Sequence, residues 1–483
     1  MRLCDLVPEI GPDHPAACIV VSGLSVDSRS VRPGEVFFAV PGTRSDGLSF
    51  AGQAVTSGAL AVVSASVVPG GSVAGVPVIT VGDIRAALSR AAALMYPRQP
   101  GTIVAVTGTA GKSSVVDFCR QIWAALGHDA ASLGTLGVTR ADGVSYGSLT
   151  TPDPITLHRT LDALADDGVT HLAMEASSHG LDQRRSDGVR MAAAAFTNLG
   201  HDHLDYHPTM EAYFAAKMRL IDTLLPPGSP VVVAMDGDWA DRAVRHAEAH
   251  GRRVFGVGRM GRDLRIVEMR HVGGSRQLTL EAEGRRYETG FPLVGDFQVS
   301  NALVAAGLAI VTGAAARDVI ATLPGLKGVP GRLETCGSAR GGLAVVDYAH
   351  KPEALRHALS ALRPWTTGRL ICVFGCGGDR DRAKRPLMGQ IAAELADIVI
   401  ITDDNPRSED PSRIRAAILA DAPGAIEIGD RREAIRRAIG MMGPGDVVLV
   451  AGKGHEPGQI VGTTVLPFDD RQEVRAALSE IAA

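Results

Sequence analysis

The stretch TIVAVTGTAGKSSVVDFCRQIWAAL, residues 102–126, constrains this chain most. An apolar, β-branched run of strand length enters a glycine turn and leaves as a helix-period segment, the order of a buried strand, a tight loop and a covering helix. Further strand-length apolar runs follow at HLAMEASS, AAAAFTNL, PVVVAMD and RVFGVG, with helical segments between them. A later set, LAVVDYA, RLICVFG, DIVIITDD and DVVLVAGKG, alternates with helix-period stretches such as RPLMGQIAAELA, which predicts a parallel sheet covered on both faces. Before residue 97, ACIVV, EVFFAV, LAVVSAS and PVITV predict a smaller α/β unit, closed by a helix from Ile84 to Met95 that stops at Tyr96-Pro97.

The fold class is therefore α/β. With 483 residues the chain has room for about three domains, and two breaks divide it: PRQPG (97–101) and PGLKGVPGR (324–332). The expected domains are residues 1–97, 98–330 and 331–483: a small N-terminal α/β domain, a central P-loop ATPase-like domain and a C-terminal Rossmann-like domain. The 49 Lys and Arg against 53 Asp and Glu leave a net charge of −4 without a basic stripe, so nucleic acid is not an expected partner. The six cysteines form no CxxC pair and read as reduced thiols. The opening MRLCDLVPEIGPDHP is interrupted by Asp5, Pro8 and Glu9, and no run approaches the ~18 apolar residues of a membrane span. A cytoplasmic protein is expected.

The loop Gly108-Thr109-Ala110-Gly111-Lys112-Ser113-Ser114 carries the clearest chemistry. Backbone N–H groups at a helix N-terminus can cradle polyphosphate, Lys112 can reach the terminal phosphates, and Ser113 can ligate Mg²⁺. The two glycines stand closer than in the general G-x-x-x-x-G-K-[ST] pattern, with Val106 at the first glycine position, so a purely structural glycine turn is the rival reading.

This short G-T-x-G-K-[ST]-[ST] form resembles that of the Mur ligase family, and seven further segments keep the family's order: LTTPD (149–153), MEASSHGL (174–181), FTNLGHDHLDYH (196–207), DYAH (347–350), GCGGDR (375–380), DNPR (404–407) and GKGHE (452–456). The resemblance spans the chain. It implies an ATP-dependent amide ligase of peptidoglycan-precursor synthesis, in which ATP phosphorylates a carboxylate of UDP-N-acetylmuramoyl-L-alanyl-D-glutamate and an amine displaces phosphate through a tetrahedral intermediate. A monomer that uses Mg²⁺ is expected.

The resemblance also assigns residues. Glu175 and His203 correspond to Mg²⁺ ligands, and Lys217 to a lysine that the family carbamylates, forming N6-carboxylysine able to hold a second Mg²⁺. Read without the family, His201, His203 and His207 could equally be a polar loop or part of a zinc site, and Lys217 a solvated helix residue. Asn301, Arg332 and Asp347 match ATP contacts. Thr150, Thr151, Ser177, Gln183 and Arg185 match contacts to the UDP-linked dipeptide, joined in the first domain by Val26, Ser28, Thr43, Arg44 and Ser45. Leu149 stands where the family often has asparagine, which removes one polar contact.

DNPR bears on the amine. Asp404, Asn405, Pro406 and Arg407 follow an apolar strand at its carboxyl end, where α/β sheets place ligands. The family uses DNPR for meso-diaminopimelate, whose extra carboxylate a guanidinium can grip through two parallel hydrogen bonds and which lysine lacks. Arg380, Gly452 and Glu456 match further contacts to that amino acid. The competing readings are a surface Arg407 paired with Glu409 or Asp410, a lysine-adding ligase, a folylpolyglutamate synthase, a switch ATPase without an amine acceptor, and a non-catalytic UDP-sugar module.

Overall fold

The computed structural model describes residues 1–11, 13–42, 46–145, 149–203, 206–272 and 275–482. Its contacts separate two units: Met1–Val267 with Leu280–Tyr287 and Asn301–Thr322, and Glu268–Thr279 with Glu288–Ser300 and Leu323–Ala483.

The first unit opens with a five-stranded sheet in the order Gly23–Ser25, Glu35–Phe38, Ala61–Ser64, Val76–Thr80, Ser72–Val73; all neighbours are parallel except the last pair. The helix Ile84–Met95 has the bounds its periodicity predicts, with Asp83 capping its start by accepting from Ala86 N. One face of this sheet buries Val36, Phe38, Val63 and Ile79 against Leu3, Leu6 and Leu88.

The same unit contains a run of parallel strands in the order Arg253–Gly258, Pro230–Ala234, Ala193–Phe196, Thr102–Thr107, His171–Glu175, Ala130–Gly134. Ile103 and Ala105 share a core with Leu157, Leu161 and Phe214, while the alternate Val104 and Val106, equally buried, point to the opposite layer. Thr102–Thr107 thus sits inside the sheet, and its carboxyl end opens between two oppositely progressing neighbours, where ligands bind in such sheets. Three further strands lie between 264 and 291, Leu264–Val272, Ser275–Ala282 and Arg285–Phe291, and parts of them belong to the second unit. Polar residues interrupt all three, so they present no continuous apolar run, as befits strands covered on one face.

The second unit is built on a six-stranded sheet ordered Glu334–Ala339, Gly342–Asp347, Val447–Ala451, Leu370–Phe374, Ile398–Ile401, Ile426–Glu427, antiparallel only in its first pair. Both faces are covered: Val345, Cys372 and Leu449 join one core, Val346, Val373 and Val450 the other. Among the described residues no helix is long and apolar enough to cross a membrane.

Candidate functional site

The phosphate loop lies between the strand Thr102–Thr107 and the helix Lys112–Ala125. Gly108 and Gly111 have φ of +147° and +86°, which side chains rarely allow, and a Cβ on Gly111 would collide with the carboxamide of buried Asn301. Asn301 is thus seated against the phosphate loop from the helix Asp296–Val311. Asn198 holds the loop from the other side: its backbone carbonyl accepts from Thr109 N at 2.9 Å and its Oδ1 from Ala110 N at 3.0 Å. Ser114 is buried in the first helical turn, while Ser113 donates to Glu175 Oε1 at 2.9 Å. Glu175 ends its strand almost fully buried and also accepts from Thr135 N at 2.8 Å. A hydroxyl and a carboxylate at a phosphate cradle make the hard-oxygen donor set that suits Mg²⁺.

Lys112 Nζ donates to Gly108 O at 2.9 Å and to Thr109 O at 3.0 Å, and Lys217 Nζ donates to the same Gly108 O at 2.8 Å. Thr209 caps the helix Met210–Arg219, and this helix delivers Lys217, 1% exposed, over the Tyr213 ring with Nζ 4.3 Å from its centre. Burial, and then the neighbouring Lys112 cation, hold the Lys217 amine well below the ordinary lysine range. A neutral amine is the form that can add to CO₂.

His203 has φ +56°, a conformation uncommon for a residue with a side chain, and its Nε2 lies 3.5 Å from Asp202 Oδ2. Its ring joins a cluster with His179 at 4.8 Å and Tyr213 at 6.1 Å between centroids. Among the described residues His201, His203 and His207 do not bring three ligand atoms together, and the group that does lies elsewhere. The described residues of this run therefore offer no support for zinc.

The residues matched to the UDP-linked dipeptide form a connected set beside Glu175. Thr150 Oγ1 is 3.0 Å from Thr135 Oγ1, and buried Thr151 donates to Glu175 O at 3.0 Å. Ser177 donates to Thr151 Oγ1 at 3.1 Å and caps the helix Ser178–Asp182. Arg185 reaches Thr151 O at 2.8 Å and Gln183 Oε1 at 2.7 Å. In the N-terminal part Val26 is exposed, whereas Ser28 donates to Gln53 Oε1 at 2.8 Å. Thr43, Arg44 and Ser45 lie outside the described residues.

Arg332 and Asp347 belong to the second unit. Asp347 accepts from Leu333 N at 2.7 Å and Ala349 N at 2.8 Å, and burial raises its carboxyl above the usual range despite Arg332. Arg332 lies 4.8 Å over the Tyr348 ring, and burial followed by the Arg332 charge lowers the His455 imidazole to about 4.

A second corner forms where the strands Ile398–Ile401 and Val447–Ala451 end. Buried Asp404 and Asn405 are followed by buried Pro406, and Arg407 adopts φ +52°. Arg407 Nη1 donates to Gly378 O at 2.9 Å and to Asn405 O at 3.4 Å. The surface pairing weighed for it does not occur: Glu409 binds Arg385 at 2.9 Å, and Asp410 caps the helix Pro411–Leu419. Among the described residues Arg407 has no carboxylate partner, and exposed Arg380 donates to its neighbour Asp379 O at 3.3 Å. Asn405 Nδ2 donates to Glu456 Oε2 at 2.9 Å, and Lys453, fully buried, donates to Asn405 Oδ1 at 3.0 Å and Glu456 Oε2 at 3.3 Å. Gly452 turns at φ +117°, with Asp404 Oδ2 2.7 Å from where a Cβ would stand.

Behind this corner Arg431 and Asp470, both 0% exposed, pair through Nε–Oδ1 and Nη2–Oδ2 bonds of 2.7 Å each. Arg431 also donates to Ala451 O at 2.9 Å and Asp403 O at 3.4 Å, the residues immediately before the GKGHE and DNPR segments. Sequence reading assigned no role to Thr135, Asn198, Lys453, Arg431 or Asp470. Asn198 and Lys453 were visible inside landmark segments; the other three carried no local signal.

Comparison with known proteins finds three family models along the chain: Mur ligase family, catalytic domain, at residues 20–96; Mur ligase middle domain at 106–309; and Mur ligase, glutamate ligase domain, at 331–454. A UDP-N-acetylmuramoyl-L-alanyl-D-glutamate–2,6-diaminopimelate ligase of Mesorhizobium japonicum is 56% identical over 487 residues, covering 100% of both chains. The protein of the same name in Agrobacterium fabrum is 54% identical, covering 99% of this chain and 96% of its own. A solved structure of a ligase with that name aligns with a TM-score of 0.74 at 34% identity, over 100% of this chain and 99% of the other.

Proposed function

The chain belongs to the Mur ligase family, and from that premise we propose that it is an ATP-dependent acid–amino-acid ligase joining meso-2,6-diaminopimelate to UDP-N-acetylmuramoyl-L-alanyl-D-glutamate in the synthesis of peptidoglycan precursors. The observation that carries the ligase reading is the convergence of Lys112 and Lys217 on the carbonyl of Gly108, beside the Ser113–Glu175 pair. A cation for the terminal phosphates, an oxygen set for Mg²⁺ and a buried amine whose basicity is lowered meet at one loop. In this reading the enzyme is a cytoplasmic monomer of three domains, residues 1–97, 98–330 and 331–483.

A carboxylate is a poor acyl donor, and transferring the γ-phosphoryl group of ATP to its oxygen gives ADP and an acyl phosphate. The amine then attacks the carbonyl carbon, the tetrahedral intermediate expels phosphate, and an amide results. The protein's work is to position reactants and offset negative charge. Loop N–H groups and Lys112 hold the phosphates. Ser113, Glu175, His203 and Lys217, once carbamylated by CO₂ with release of a proton, would hold Mg²⁺, which supplies charge neutralisation at the phosphates. Thr150, Thr151, Ser177, Gln183 and Arg185 orient the carboxylate donor, with Val26, Ser28 and the 43–45 loop at the uridine end. Asn301, Arg332 and Asp347 serve the rest of ATP.

For the amine, the support is Arg407. Its guanidinium is held by carbonyls and has no carboxylate partner among the described residues, which suits it to the far carboxylate of diaminopimelate. Glu456, held by Asn405 and Lys453, suits the far ammonium group. Arg380, Asp404, Pro406 and Gly452 complete the pocket. The test is phosphate release with ATP, Mg²⁺ and the UDP-linked dipeptide, with meso-diaminopimelate, L-lysine or no amine added. Release only with diaminopimelate, with a product heavier by that residue, is expected. Release with lysine would overturn the role of Arg407, and release without any amine would point to a switch ATPase.

A further inference from the structure

Away from the phosphate loop, within the same unit, the helix Ala240–Ala249 ends with His246 in its last turn and His250 at its C-cap. An i,i+4 spacing puts both imidazoles on one face, and their ring centroids are 4.4 Å apart. Asp222 faces them from the π-helical segment Leu220–Leu224, its Oδ2 3.0 Å from His246 Nε2. One ligand atom from each of the three side chains lies within 4.8 Å of the other two.

We propose that Asp222, His246 and His250 form a binding site for a divalent transition cation of the zinc class. The second polar atoms of His250 and Asp222 are already engaged in a way that orients these two side chains. His250 Nδ1 is 2.8 Å from His246 O, which leaves Nε2 as the ligand atom and supplies the carbonyl contact that steadies a ligating imidazole. Asp222 Oδ1 accepts from the Thr223 hydroxyl at 2.6 Å, leaving Oδ2 for the cation. Arg252 donates to the backbone carbonyls of Ile221 at 2.8 Å and Asp222 at 3.3 Å, so it braces the segment through its main chain and not through the Asp222 carboxylate.

Two imidazoles and one carboxylate form a donor set that zinc takes up readily, with a fourth position for water, and that Mg²⁺ does not favour. Binding exchanges the His246–Asp222 hydrogen bond for metal bonds from both groups. Leu220–Leu224 continues directly from the helix that carries Lys217. A bound cation therefore fastens the end of that helix to Ala240–Ala249.

The test is metal binding by the full-length, chelator-stripped protein. Zn²⁺ titration by calorimetry and Co²⁺ titration by visible absorption compare the wild type with His246→Ala, Asp222→Asn and His250→Gln; the last changes an exposed side chain and spares the core. The wild type should bind a Zn²⁺ equivalent that each variant loses or binds at least about tenfold more weakly, show the visible bands of tetrahedral Co²⁺, and melt at a higher temperature with Zn²⁺, a shift that His250→Gln abolishes. Equal stoichiometry and affinity in wild type and His250→Gln would overturn the proposal, as would a wild type that binds no Zn²⁺.

Discussion

The phosphate loop and the DNPR corner both stand at the carboxyl ends of parallel strands, yet they are held by different means. At the loop, backbone does most of the work: two glycines turn at positive φ, and Asn198 and Asn301 close on them. At the corner, side chains do: Asn405, Lys453 and Glu456 tie two segments 48 residues apart, and the Arg431–Asp470 pair anchors both from behind. Each region contains one non-glycine candidate residue in the left-handed region, His203 at φ +56° and Arg407 at +52°. Such conformations cost of order 1–3 kcal/mol and persist only where the surroundings over-determine them. A contiguous motif can therefore supply the turn of a phosphate cradle, which two distant asparagines close, whereas the amino-acid corner takes its polar side chains themselves from separate segments.

Four experiments would break or sharpen this contrast. The largest effect is expected from Lys217→Ala, which removes the buried amine from the loop: amide formation should fall by about 10²–10³-fold or more, as when a preorganised charge-stabilising group is lost. Partial recovery in formate or acetate would identify the missing group as a carboxylate, and unchanged turnover would separate Lys217 from the chemistry.

Next, Asp470→Asn leaves Arg431 buried without its counter-ion. Breaking such a pair costs about 3–5 kcal/mol, so denaturant unfolding should show a large loss of stability. Equal stability would mean that the corner is held without its anchor.

Arg407→Ala should raise KM for diaminopimelate about 10–100-fold, the worth of one charge-assisted interaction, with KM for ATP nearly unchanged. An equal rise in both would remove Arg407 from the amino-acid pocket.

The most gradual effect concerns His455, whose folded-state value of about 4 lies below the ordinary 6.5. The unfolded chain takes up the proton first as pH falls, so stability should decline from about pH 6.5 toward pH 4. His455→Gln should flatten that slope, as read from melting temperatures across the window; an unchanged slope would assign it to other groups.

Much of this was legible in one dimension. The helix Ile84–Met95 and the strand Thr102–Thr107 follow from periodicity and from Pro97 and Gly108, because local steric preferences end them where they end. Lys217 is expected on a helix and stands on one, which is α-helical to Arg219 and continues as a π-helical turn over Leu220–Leu224. The half-covered strands between 264 and 291 were missed for want of a continuous apolar run. The motifs named Glu175, Lys217 and Arg407, but not Thr135, which binds Glu175, or Arg431 and Asp470, which lie 39 residues apart.

By itself, the sequence determined the α/β class, the phosphate loop and the residue types at the two strand ends, since these depend on local backbone preference and on the chemistry of adjacent side chains. Only the tertiary structure decided which charges are paired and which are desolvated. It set Lys217 beside Lys112 in a buried place, engaged Glu409 elsewhere and left Arg407 without a carboxylate partner among the described residues. The physical reason is that the charge state of a group depends on what surrounds it in space, and those neighbours lie far away along the chain.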